Sequence, residues 1–214
     1  MKAKRRATSS RKASPGKDIV NGKVLPPRRQ KNEARRPREY LTPPEVERLL
    51  DAARAAGRHG KRDYALLRIC YDHGLRVSEL VALRWDQVSI KPRTVATLSV
   101  RRLKGGDPSV QYPGKKGKAA LKALAGSGGE FVFANERDGG PLSTSAVRKI
   151  VARAGEAAGL VNVHPHMLRH SIGFKLVNDG RPLAEMAAYL GHRSMQSTML
   201  YAKVNHTRFR GWID

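Results

Sequence analysis

Negative charge, cysteine and aromatic side chains are all scarce in this 214-residue chain. Only 18 Asp and Glu stand against 42 Lys and Arg, a formal net charge of +24, which argues for a polyanionic partner, nucleic acid first. The single cysteine, Cys70, excludes an internal disulfide and fits a reducing compartment. It lies in an apolar run and reads as core. No stretch of about 18 apolar residues is present to span a membrane, and the N-terminus lacks the apolar centre of a secretory signal. A cytoplasmic protein without a membrane partner is expected. Missing too are a Gly-x-x-x-x-Gly-Lys-[Ser/Thr] phosphate loop, which Gly105-Gly106 does not make, and an acidic cluster suited to Mg²⁺. No cofactor and no metal are expected.

What is present divides unevenly. Residues 1–40 hold 14 basic and 3 acidic side chains and few periodic apolar ones, too little apolar surface to offset the entropy of ordering. They read as a disordered basic arm, in which Arg28, Arg29, Arg35 and Arg36 would contact phosphates. Thr42-Pro43-Pro44-Glu45 starts a helix with a Thr42 cap and Glu45 reaching back, and Val46, Leu49, Leu50 and Ala53 follow at helical spacing. The stretch Lys61 to His73 is apolar nearly all round and predicts a central buried helix that ends at Gly74. A short helix follows from Val77 to about Leu83.

Alternation then takes over. Ala96, Leu98 and Val100, then Val110 and Tyr112, alternate with more polar residues and predict two strands, joined by a hairpin at Gly105-Gly106. Further helices are predicted after Ser143, from near His166, from Pro182 to a stop at Gly191, and from about Ser194 through Tyr201. The fold class is therefore mainly α with a small antiparallel β-sheet, one domain over residues 41–214.

Along that domain a set of polar residues demands chemistry. His166, Arg169 and His170 recur at i, i+3 and i+4 and should share one exposed helix face, with Leu168, Ile172 and Leu176 turned away. Arg76 follows the turn at Gly74, Lys104 precedes the hairpin glycines, His192 follows the stop at Gly191, and Tyr201 comes nine residues later. Zinc on His164, His166 and His170 is a rival reading, but neither a Glu beside the first His nor a Cys pair accompanies them. Another is a plain helix-turn-helix regulator over Asp179 to Tyr201, with Met195–Leu200 reading bases, which leaves Arg76, Lys104 and the His166/Arg169 face without a use.

The segments His73-Gly74-Leu75-Arg76-Val77-Ser78-Glu79-Leu80, Lys104, His166-Met167-Leu168-Arg169-His170, Leu190-Gly191-His192 and Tyr201 resemble, in order and spacing, the tyrosine recombinase (phage integrase) family. The resemblance covers nearly all of residues 41–210. Within the family the chain looks most like short members such as the fimbrial phase-switch invertases. It implies a catalytic domain that cleaves and rejoins double-stranded DNA through a 3′-phosphotyrosyl link to Tyr201.

It further implies that Arg76, Arg169 and His192 bind the scissile phosphate, that His166 is the base, and that Lys104 is the acid for the leaving 5′-oxygen. Glu79 and His170 are supporting groups; Arg101 and Arg102, beside Lys104 on the ribbon, are expected to touch DNA. Family resemblance also implies a homo-tetramer on paired sites that exchanges C-terminal segments, here with Phe209 and Trp212 as anchors, aided by an accessory DNA-bending protein and associated with the nucleoid. A type IB topoisomerase shares this chemistry, but the His73–Leu80 match favours the recombinase.

Overall fold

The computed structural model describes residues 39–91, 96–102, 108–126 and 128–204, with Lys203 and Val204 by backbone alone, together with the backbone of a short strand pair near the N-terminus. That pair, β1 (Ile19–Val20) and β2 (Lys23–Val24), is antiparallel and falls inside the stretch read as an arm. In the sequence its strands flank Asn21-Gly22, a dipeptide strongly favoured in two-residue hairpins. Arg28, Arg29, Arg35, Arg36, Lys104, Gly105-Gly106, Phe209 and Trp212 lie outside the described residues.

Helix α1 (Pro43–Arg54) begins as its sequence predicts: the Glu45 carboxylate receives both the Thr42 N–H and the Thr42 hydroxyl at 2.8 Å, and Val46, Leu49, Leu50 and Ala53 are buried. Helix α2 (Gly60–Asp72) is the hub. Leu66, Leu67, Ile69 and Cys70 on three of its sides have no exposed surface. It packs against α1, α4 (Lys115–Leu124) and α6 (Pro165–Asn178). Helix α4 has no counterpart in the sequence reading. Its buried face is Gly117, Ala120 and Leu121, and a glycine in that face hides the apolar period; a Cβ at Gly117 would sit 3.3 Å from an Asp72 carboxylate oxygen.

The chain leaves α2 through Gly74 at φ +55, a left-handed turn open to glycine, and enters the one-turn helix α3 (Val77–Val81). A three-stranded antiparallel sheet follows, in the order β3 (Val88–Ser89), β4 (Thr97–Val100), β5 (Ser109–Gln111). Leu98 and Val100 face the core as alternation predicts, but in β5 the apolar residues are the ones outside. Val110 and Tyr112 are 58% and 66% exposed, while Gln111, paired across from Leu98, is buried. Its amide explains this inversion: Oε1 lies 2.8 Å from His73 Nδ1, and Nε2 donates to the Tyr189 carbonyl at 2.8 Å. A polar side chain goes inside when its hydrogen bonds are waiting there.

The C-terminal half is helical. Ser143 caps α5 (Thr144–Ala157) by accepting from the Ala146 N–H at 3.0 Å. Helix α6 is followed by α7 (Leu183–Leu190), which stops at Gly191 with φ +63, and by α8 (Met195–Val204). Among the described residues no helix is long and apolar enough to cross a membrane.

Candidate active site

The site forms where four chain turns meet: Gly74 to Arg76, the early turns of α6, the end of α7, and the inner face of α8. Arg169 is its centre. Expected on an exposed face of α6, it is instead 2% exposed, because Met167, Leu168, Ser171 and Ile172 around it are buried as well. Its position is set by backbone: Nη1 donates to the Gly74 carbonyl and Nη2 to the Leu190 carbonyl at 2.6 Å. Both acceptors flank chain reversals that leave carbonyls without helical partners. Burial, and then the neighbouring Arg76, lower the Arg169 pKa to about 10, still charged at neutral pH.

Arg76 is the N-cap residue of α3, and Glu79 on that helix holds it twice. The carboxylate accepts the Arg76 N–H at 2.9 Å through Oε2 and the guanidinium Nη1 at 2.8 Å through Oε1. The other terminal nitrogen reaches the Gly191 carbonyl at 3.4 Å, a long contact, and the side chain keeps 30% of its surface exposed. Arg76 Nη2 and Arg169 Nη2 thus approach the carbonyls of two successive residues, Gly191 and Leu190.

Tyr201 comes to the same place from α8. It is 2% exposed; its hydroxyl lies 3.2 Å from His170 Nδ1, and its ring stacks near-parallel to His192 with centroids 6.2 Å apart. His192 Nδ1 sits 2.7 Å from the Thr198 hydroxyl, which orients the imidazole. His166 packs edge-on against His170, with centroids 4.5 Å apart, so part of its ring is covered while the rest stays exposed. The hydrogen-bond partner of the phenol is therefore His170, a residue expected from the sequence to have only a supporting role.

Burial governs the titrations. It lowers His170 and His192 to about 4, helped by His166 for the first and by Arg169 for the second, and it lowers His166 as well. Burial raises Tyr201, while the Arg169 and Arg76 charges pull it back down. Three imidazoles with lowered pKa values, two guanidiniums and a phenol make a cluster suited to a single anion beside a proton acceptor. Among the described residues no group of three or more His, Cys, Asp or Glu side chains is placed to hold a metal ion.

The ribbon arginines separate. Arg101 is exposed, loosely paired with Asp86 at 3.4 Å, where a nucleic acid could meet it. Arg102 is a correction: its side chain has no exposed surface and is bonded inward to Glu79 at 3.0 Å, so it cannot touch DNA in this arrangement. Nothing in a run of basic residues distinguishes the one that turns in. Sequence reasoning also passed over Thr198, Gln111 and the carbonyl anchors of Arg169, which carry no signal of their own in one dimension.

Residues 39–208 match the phage integrase family, and the chain belongs to it. It is 37% identical over 193 residues to the type 1 fimbriae regulatory protein FimB of Escherichia coli K12, covering 86% of this chain and 94% of FimB. Against FimE of the same strain it is 33% identical, covering 81% and 90%. Tyrosine recombinase XerC of Bacillus subtilis 168 is 31% identical, covering 84% of this chain and 61% of XerC. Among solved structures, XerA recombinase superposes with a TM-score of 0.68 at 25% identity, over 78% of this chain and 61% of that one. With XerH site-specific recombinase bound to palindromic difH substrate the TM-score is 0.67 at 22% identity, over 79% and 51%, a likeness of fold. The chain thus spans little more than half of these solved recombinases. The helix-turn-helix reading gives way, since α8 buries Thr198 and Tyr201 on its inner face rather than serving only as a reading surface.

Proposed function

We propose that the chain is a site-specific DNA recombinase in which Tyr201 attacks a backbone phosphorus, forming a 3′-phosphotyrosyl bond and releasing a 5′-hydroxyl. The observation that carries this reading is the convergence of Tyr201, His170, His192, Arg76 and Arg169 from four separate chain segments. Arg76 and Arg169 supply paired donors to the non-bridging oxygens, where charge grows as phosphorus becomes pentacoordinate. With the Thr198 hydroxyl donating to His192 Nδ1, the ring proton stands on Nε2 and serves as a further donor to the phosphate.

The phenol must lose its proton, and with a pKa near ~10 for a free phenol it needs an acceptor. Neutral His170, already in contact with it, takes that part, and His166 relays from the mouth of the site. Lys104 is the acid for the leaving oxygen. Because one phosphodiester is exchanged for another, rejoining needs no energy source. Exchange between two duplexes breaks four strands, which calls for four tyrosines and hence a homo-tetramer on paired double-stranded sites at the nucleoid, with a DNA-bending protein aligning them. Arg101 and the N-terminal arginines contact the flanking phosphates.

The test is a suicide duplex carrying the recombination site, resolved on a denaturing gel. The parental protein is expected to form a covalent adduct and Tyr201→Phe to bind the same DNA without one. An adduct in the Phe variant removes the proposed nucleophile.

A further inference from the structure

The Glu79 carboxylate is buried, with 1% of its side chain exposed, and it is shared by two arginines. Oε1 takes Arg76 Nη1 at 2.8 Å; Oε2 takes Arg102 Nη1 at 3.0 Å besides the Arg76 N–H. A buried carboxylate paired with Arg76 alone would neutralise it and leave little charge for a ligand. Two cations around one anion leave one positive charge over. That charge falls to Arg76, since the Arg102 side chain has no exposed surface while that of Arg76 retains an open edge.

Both terminal nitrogens of Arg102 are held, while its buried Nε has no hydrogen-bond partner. Its Nη2 donates to the Tyr189 carbonyl, which also receives Gln111 Nε2, so the guanidinium ties the ribbon two residues before Lys104 to the end of α7. Gly191 makes room for it. A Cβ there would lie 2.6 Å from Arg102 Nε and 2.7 Å from Cδ, a demand for glycine separate from the left-handed φ. His192 follows directly, so the same contact sets where that imidazole begins.

We propose that Arg102 is a positioning residue: it gives Glu79 its countercharge, leaving the Arg76 guanidinium oriented but unspent for the scissile phosphate. The assignment rests on the recombinase reading. Arg102→Met is expected to slow adduct formation at saturating protein by about a hundredfold, the scale of losing a transition-state donor, while DNA affinity stays within about threefold because the residue touches no DNA. Arg102→Lys, which keeps the charge, should recover to within about tenfold of the parental rate, and Glu79→Gln/Arg102→Met should cleave faster than Arg102→Met because no carboxylate remains to neutralise Arg76.

A folded Arg102→Met that cleaves within threefold of the parental protein, or loses affinity as much as rate, overturns the proposal. If Arg102→Met fails to fold, Arg102→Lys decides, and a hundredfold loss there overturns it. Absence of adduct from the parental protein would sink the recombinase reading instead. Urea denaturation of the Glu79→Gln and Arg102→Met cycle would then decide for Arg102: coupling of tenfold or more in the folding equilibrium supports it, and additivity refutes it.

Discussion

The Tyr201 ring lies in a notch that exists because residue 173 has no side chain. A Cβ built on Gly173 would fall 2.6 Å from Cζ and 2.7 and 2.8 Å from the two Cε atoms of the phenol. Phe174 closes the notch edge-on, its ring centroid 5.2 Å from that of Tyr201. Gly173→Ala is therefore expected to push the ring out, costing about 1–3 kcal/mol as overpacking does. Nitration by tetranitromethane, read by mass spectrometry, checks it: Tyr201 should be protected in the parental protein and modified in the variant. Equal protection in both would mean the ring is held elsewhere.

Arg169 is held by two carbonyls, so a residue of equal charge but fewer donors separates geometry from charge. Arg169→Lys is expected to bind DNA within a few-fold of the parental protein and to cleave about 10²–10³-fold more slowly. Parallel loss of binding and cleavage, measured by anisotropy and by adduct formation, would make Arg169 a DNA-holding group only.

Two histidines compete for the role of base. His170 touches the phenol and His166 does not, so His170→Ala should lower cleavage by about 10²–10⁴, the range for a general base, and His166→Ala by less. The reverse order in single-turnover rates would show that DNA binding changes the partner of Tyr201.

Stability should fall in acid ahead of the carboxylates. His170 and His192 are lowered to about 4 in the folded protein from a usual 6.5, so the unfolded chain binds their protons first. Their contribution to folding is complete above about pH 6.5 and is lost as pH falls towards 4, below which both states are protonated. Urea midpoints measured from pH 7.5 to 4 should show the decline, and His170→Asn should flatten it. Added DNA should restore stability in the same window, since an anion in the pocket favours the protonated rings; a midpoint independent of pH contradicts the burial of both imidazoles.

Much of this protein is decided locally. The cap at Thr42, the apolar wrap of α2 and the glycine stops at 74 and 191 follow from periodicity and turn chemistry, which act over a few residues and are written in them, while the order Arg76, His166, Arg169, His192, Tyr201 is legible through its resemblance to the tyrosine recombinase family. The missed helix α4 marks the limit of that reading: a glycine in its buried face is explained only by the carboxylate of Asp72 lying against it. The inward turn of Gln111, the burial of Arg169, the pairing of His170 with the phenol and the diversion of Arg102 to Glu79 depend on partners far off in the chain. Each is a polar group choosing burial because a matching group is already there, and such a match exists only once distant segments have packed.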